Sequence, residues 1–119
     1  MPDDSRDITR LKHILDSIEN IQNFVNNAEF GEFQTDLKLQ SACLHQLEII
    51  GEAANHISDE LTSDYPEIDW LAIIGLRNLI IHEYFGVDIL IVWQIIESDL
   101  PSLKSHCRNL LKIIGNSKI

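Results

Sequence analysis

Cysteine, proline and glycine are all scarce in this chain of 119 residues, at two, three and five copies. So few turn-forming residues cannot join many strands, which excludes a many-stranded β architecture and leaves an all-α fold. Cys43 and Cys107 lie 64 positions apart and outside any CxxC or HxxxC pattern, so they supply no metal-ligand set. They read as reduced, buried packing residues. Long apolar runs are missing too. No stretch approaches the roughly 20 residues of a membrane span, and the opening MPDDSRDITR lacks the charged-then-apolar layout of a signal peptide. The expectation is a cytoplasmic protein with no membrane partner, no cofactor and no bound metal. Basic residues are outnumbered, nine Lys and Arg against nineteen Asp and Glu, for a net charge of −10. That excludes a surface that grips nucleic acid by bulk electrostatics, and DNA is not expected as a ligand. Any nucleic-acid site must be local, or completed by a second subunit.

The chain does have amphipathic helical periodicity, and it has it almost throughout. With 45% hydrophobic and 24% charged residues, the composition is that of one globular domain over residues 1–119. Asp3, Asp4 and Ser5 supply helix-start residues. Ile8, Leu11, Leu15, Ile18 and Val25 then recur at helical spacing, with Ile14, Ile21 and Phe24 widening the stripe. His13 and Lys12 sit beside it as solvated residues. Asn26, Asn27 and Gly31 end this first helix. Thr35 or Asp36 can cap a second, whose stripe runs Cys43, Leu47, Ile50, Ala54, Ile57 and Leu61. Gly51, Ala53 and Ala54 form a small-residue patch on it, where another helix backbone can approach closely. Glu48 and Glu52 form either a solvated acidic edge or, through Glu52, part of a polar site on the neighbouring helix.

Residues 61–69 make the longest break, because Thr62, Ser63, Asp64 and Pro66 disfavour continued helix. A third helix starts at Trp70 and stops at Gly86. Asp88 is placed to cap a fourth, which Pro101 should kink or divide. The architecture expected is an antiparallel four-helix bundle, up to five with a short extra helix. Its third and fourth helices carry more apolar surface than a lone bundle needs, which predicts a homodimer.

The third helix is where chemistry can reside. In LRNLIIHEYFGVD its apolar pattern is interrupted by Arg77, Asn78, His82 and Tyr84. At about 100° per residue, Arg77 and Tyr84 share a face and Asn78 lies one turn from His82. Arg77 and His82 are about 140° apart, so they flank a groove at the helix end or line a cleft closed by a symmetry mate. Histidine is the side chain poised for proton transfer near neutral pH. Arginine carries a permanent planar charge suited to phosphate. Together they are a minimal metal-free kit for cleaving RNA, with Asn78 orienting His82. The bland alternative is a partly buried His82 and an Arg77 paired structurally to an acidic residue such as Glu52.

Arg77-Asn78-Leu79-Ile80-Ile81-His82-Glu83-Tyr84 resembles the R-x4-H-x-Y signature of the HEPN superfamily in its HepT-like branch. Ile50-Gly51-Glu52-Ala53-Ala54 is similar to that family's GEA segment, Trp70 with Gly75 to its approach to the motif, and Val92-Trp93 with Asp99-Leu100-Pro101 to its final helix. These landmarks run in the family's order from about residue 40 to residue 112. The first helix matches only in kind. The resemblance implies a HEPN bundle that dimerises through the motif helix and acts as a metal-independent RNA endonuclease. It implies a toxin, encoded beside a nucleotidyltransferase antitoxin of the MNT type. Arg77 and His82 would be catalytic, with Asn78 and Glu52 in support. Tyr84 would be the residue that the partner modifies by adding AMP. The alternative is a non-catalytic HEPN subunit that binds a nucleotide or docks a nucleotidyltransferase.

Overall fold

The computed structural model describes residues 4–82 and 88–116, and every regular element among them is helical. In chain order these are α1 (Asp4–Phe24), α2 (Phe30–Thr35), α3 (Leu37–Asn55), α4 (Asp59–Asp64), α5 (Trp70–His82), α6 (Ile89–Gln94) and α7 (Leu100–Asn116). A π-helical turn, Ile95–Asp99, joins α6 to α7. Four long helical segments thus carry the fold, as the periodicity predicts, and two one-turn helices fill the connections.

Local chemistry sets the boundaries. Asn27 takes a left-handed φ of 64° just after α1, a conformation that asparagine tolerates. Asp36 caps α3 by accepting from the Leu39 N–H at 3.0 Å, and Asp88 caps α6 by accepting from the Leu90 N–H at 2.9 Å. Asp69 does the same for α5 through the Ala72 N–H at 3.1 Å. Three expectations are corrected here. Gly31 does not end the first helix but lies inside α2, where the Gln40 amide closes the chain's turn by donating to Phe33 O and Gln34 O. The stripe of α3 does not continue to Leu61: α3 stops at Asn55, and Ser58 caps the separate helix α4 through the Leu61 N–H. Thr62, Ser63 and Asp64 therefore sit in a helix rather than a break. The last helix is divided next to Pro101, as expected: α6 ends at Gln94 and α7 starts at Leu100, with the π-helical turn between them. The Leu100 N–H donates to Ile95 O, five residues back, so the widened turn takes up the change directly before the proline.

The core lies where the stripes of α1, α3 and α7 meet. Leu11, Ile14, Ile18 and Ile21 of α1 are fully buried, and Leu100, Leu103, Cys107, Leu110 and Ile114 of α7 face them at spacings of three and four. Ile14 and Ile21, placed at the margin of the sequence stripe, prove to be at its centre, while Phe24 is exposed. Each such aliphatic side chain contributes about 1.5–3 kcal/mol on burial. Trp93 closes the far end against Phe33, ring centroids 5.1 Å apart. Cys43 and Cys107 are both free and buried, and burial pushes their thiols up to about 11 and about 12, so both stay protonated at neutral pH.

Polar cross-links fix the directions of the helices. Lys104 donates to Gln22 at 2.8 Å and Arg108 pairs with Glu19, so α7 runs antiparallel to α1. Asn20 reaches Gln46 while Asp7 reaches Ser58, so α3 is antiparallel to α1 as well. The Asp7 link is buried. Its carboxylate accepts from the Ser58 N–H at 2.9 Å and the Ser58 hydroxyl at 2.6 Å, tying the start of α1 to the cap of α4. Asp7→Ala strands both donors and is expected to lower stability by about 1–3 kcal/mol. A fall in the urea midpoint with unchanged slope checks it, and Asp7→Asn, which keeps one acceptor, should fall between.

Candidate active site on the motif helix

Helix α5 is seated by its first residue. Trp70 is buried and its indole N–H donates to Tyr65 O at 3.1 Å. From there α5 crosses α3 at Gly51, where a Cβ would lie 2.8 Å from Arg77 N and 3.1 Å from Ile73 O. The small-residue patch read from the sequence is therefore a point of backbone contact, made against Arg77 itself.

That contact brings Glu52, the next residue on α3, to the arginine. Arg77 Nε lies 2.5 Å from Glu52 Oε2, and Glu52 Oε1 accepts from His56 Nε2 at 2.8 Å. The hydrogen bond from His56 is the main cause holding the Glu52 carboxyl below the usual carboxylate range; partial desolvation opposes it, and the charges of Arg77, His56 and Arg10 add to it. Because that pKa is depressed, the pair with Arg77 is fully formed above the ordinary carboxylate pKa and is lost only as pH falls through the lowered value. The pair uses one edge of the guanidinium. Among the described residues Arg77 has no other hydrogen-bond or ion-pair partner, which leaves its Nη groups available.

Asn78 is exposed. The α-helix continues through His82, so positions 77 and 82 are about 140° apart around its axis. The side chain of His82 and the whole of Tyr84 lie outside the described residues, as does Gly86. The structure therefore joins Arg77 to Glu52 and leaves Asn78 and position 82 where the helix register puts them.

Sequence reading missed the rest of the surroundings. Arg10, His13, His45 and Glu48 join Glu52 and Arg77 around a hollow of about 330 Å³ between α1, α3 and α5. The signal for it was present: Arg10 and His13 are three apart on α1, and His45, Glu48 and Glu52 follow at three and four on α3, each set sharing one helical face. Among the described residues no three His, Cys, Asp or Glu side chains gather as a metal-binding group, and no helix is long and apolar enough to cross a membrane.

The all-helical fold and the family match place the chain in the HEPN class. Within it, the family model described as "Ribonuclease HepT-like" matches residues 14–110, and this chain belongs to that family. Among its relatives is "Probable ribonuclease HepT" of Thermococcus cleftensis, 39% identical, covering 86% of this chain and 93% of the relative. "Putative RNase MJ1380" of Methanocaldococcus jannaschii is 35% identical over 81% of this chain and 88% of its own length. "Putative RNase TTE0752" of Caldanaerobacter subterraneus is 35% identical over 86% and 91%. No solved structure matches the chain.

Proposed function

We propose that this protein is an RNA endonuclease that works without metal, as the toxin of a toxin–antitoxin pair. The observation that carries the reading is the anchoring of Arg77: Glu52 holds its Nε while its Nη groups stay available for a phosphate. Membership of a family of ribonucleases, with relatives named as such, supports the substrate class. In the reaction a base removes the proton from an RNA 2′-OH, the 2′-oxygen attacks the adjacent phosphorus, and the 5′-oxygen leaves with a proton. The products are a 2′,3′-cyclic phosphate and a free 5′-OH. His82 supplies one proton transfer and its copy in a second subunit the other. Arg77 stabilises the charge that builds on the phosphoryl oxygens, and Asn78, one turn before His82, orients the imidazole.

Two features favour a homodimer. An angle of about 140° between positions 77 and 82 calls for a second copy of α5 to complete the cleft. Leu71, Leu90 and Ile91 are exposed large apolar side chains at the ends of the motif helix and its successor, suited to burial between subunits. Tyr84, seven residues after Arg77 in the sequence, is the residue we assign to AMP addition by a cognate nucleotidyltransferase. The added anion would obstruct the groove and compete for the arginine.

The test is cleavage of a single-stranded RNA by the purified protein in excess EDTA. Cleavage should persist, and a 2′-deoxy nucleotide on the 5′ side of the scissile phosphate should abolish it there. Cleavage of the deoxy-substituted site would overturn the mechanism. Co-expression with an MNT-type nucleotidyltransferase and intact-mass measurement should show added AMP, lost in Tyr84→Phe.

A further inference from the structure

Cations are few in this chain, yet they are not spread evenly. Three of its four arginines, Arg6, Arg10 and Arg77, line two hollows that share Arg10 and His13 as a common wall. One is the hollow of about 330 Å³ that contains Arg77; the other, about 320 Å³, is lined by Ser5, Arg6, Thr9, Arg10 and His13. Arg6, Arg10 and His13 are four and three residues apart on α1, so they run along one side of that helix. Two carboxylates, Glu48 and Glu52, share the space, and Glu52 is engaged by Arg77 and His56. Among the described residues Arg6, Arg10, His13 and His45 make no hydrogen bond or ion pair. Together the two hollows hold three arginines against two carboxylates, a local excess of positive charge in a chain of net charge −10.

We propose that this line is a track for the backbone of single-stranded RNA, running from Arg77 across α3 and along α1. The inference rests on the nuclease reading and adds the binding surface to it. Arg6 and Arg10 take successive phosphates beyond the one at Arg77. His13 and His45 present flat rings on which unstacked bases can lie, which an acidic protein partner would not use. Clustering of three arginines along this strip also accounts for how a strongly acidic protein takes a polyanion: contact follows one path, and the net negative charge elsewhere repels.

The test uses the full chain carrying His82→Ala, so that bound RNA stays intact, and a fluorescent single-stranded RNA titrated over a range of potassium chloride. Arg6→Ala with Arg10→Ala should weaken binding roughly tenfold and reduce the salt slope by about 1.4, the value for two lost phosphate contacts on a single strand. Lys38→Ala with Lys112→Ala makes the same change in net charge outside both hollows and should leave the slope unaltered. Equal effects of the two double variants, or no measurable RNA binding, would overturn the track. So would displacement of RNA by polyglutamate as readily as by unlabelled RNA, which would mark the strip as a dock for an acidic protein. Cleavage by the protein with His82 intact is scored separately. Cleavage without dependence of binding on Arg6 and Arg10 removes the track alone, whereas that dependence without cleavage removes the nuclease reading alone.

Discussion

Replacing His82 by alanine is expected to lower RNA cleavage by about 10²–10⁴-fold, the usual worth of a positioned proton-transfer group. Arg77→Ala should cost on the order of 10²–10³-fold, as for removal of a preorganised donor from a developing oxyanion. Neither loss should reflect unfolding. The side chains of Arg77 and Glu52 are 42% and 43% exposed, so solvent screens their pair, and its removal leaves no buried charge. Single-turnover cleavage, read beside urea denaturation of the same variants, separates the two effects. Arg77→Lys is informative because lysine keeps the charge but lacks the fork that lets one edge hold Glu52 while the other meets phosphate. It should recover only a small part of the activity. Glu52→Gln should fall between wild type and Arg77→Ala, since it leaves the guanidinium charged but loosely held. Cleavage at the wild-type rate by both His82→Ala and Arg77→Ala would sink the assignment, leaving Arg77–Glu52 as a structural pair.

What could be read before the structure followed from periodicity and from chemistry that acts over a few residues. The stripes of α1, α3 and α7 gave the all-helical fold and most of the core, because burial of one helical face leaves a repeat of three and four. Asp36 and Asp88 were legible as caps for the same local reason. Gly51 stood out because a mid-helix glycine needs compensation, and Arg77 at 2.8 Å from its absent Cβ supplies the explanation. The errors arose where tertiary contacts override local preference. Thr62, Ser63 and Asp64 look like a break, yet Asp7, 51 residues before Ser58, secures the cap that lets α4 form. Pro101 signals the division between α6 and α7, but no residue-by-residue propensity encodes the widened turn that makes it. His13 reads as solvated, and Arg10 and His45 carry no signal of their own, because all three are distant in sequence from the motif. Only the packing of α1 and α5 on α3 brings them beside Arg77.

Gly51→Ala is expected to destabilise the fold, although alanine is the better helix former by about 1 kcal/mol. The new methyl would meet Arg77 N at 2.8 Å, Arg77 Cβ at 3.0 Å and Ile73 O at 3.1 Å. Two of those atoms are backbone in a helical element, so they cannot swing aside as the end of a side chain would. Helix α5 must move away from α3 as a unit, at a cost of about 1–3 kcal/mol beyond the propensity gain. For a domain near this size that corresponds to a fall in Tm of roughly 4–8 °C per kcal/mol, read by thermal unfolding at fixed protein concentration. Gly115→Ala provides the contrast. That glycine lies in α7 with nothing within 4 Å of its Cβ position, so the substitution should raise stability by no more than the propensity gain of about 1 kcal/mol. Opposite signs for the two variants would locate the close approach at Gly51; a stabilised Gly51→Ala would deny it. Cleavage should fall in Gly51→Ala even below its melting range, because the shift that relieves the methyl also carries Arg77 away from Glu52. Leu or Val at position 51 should abolish folding, since each adds bulk where even one carbon has no room.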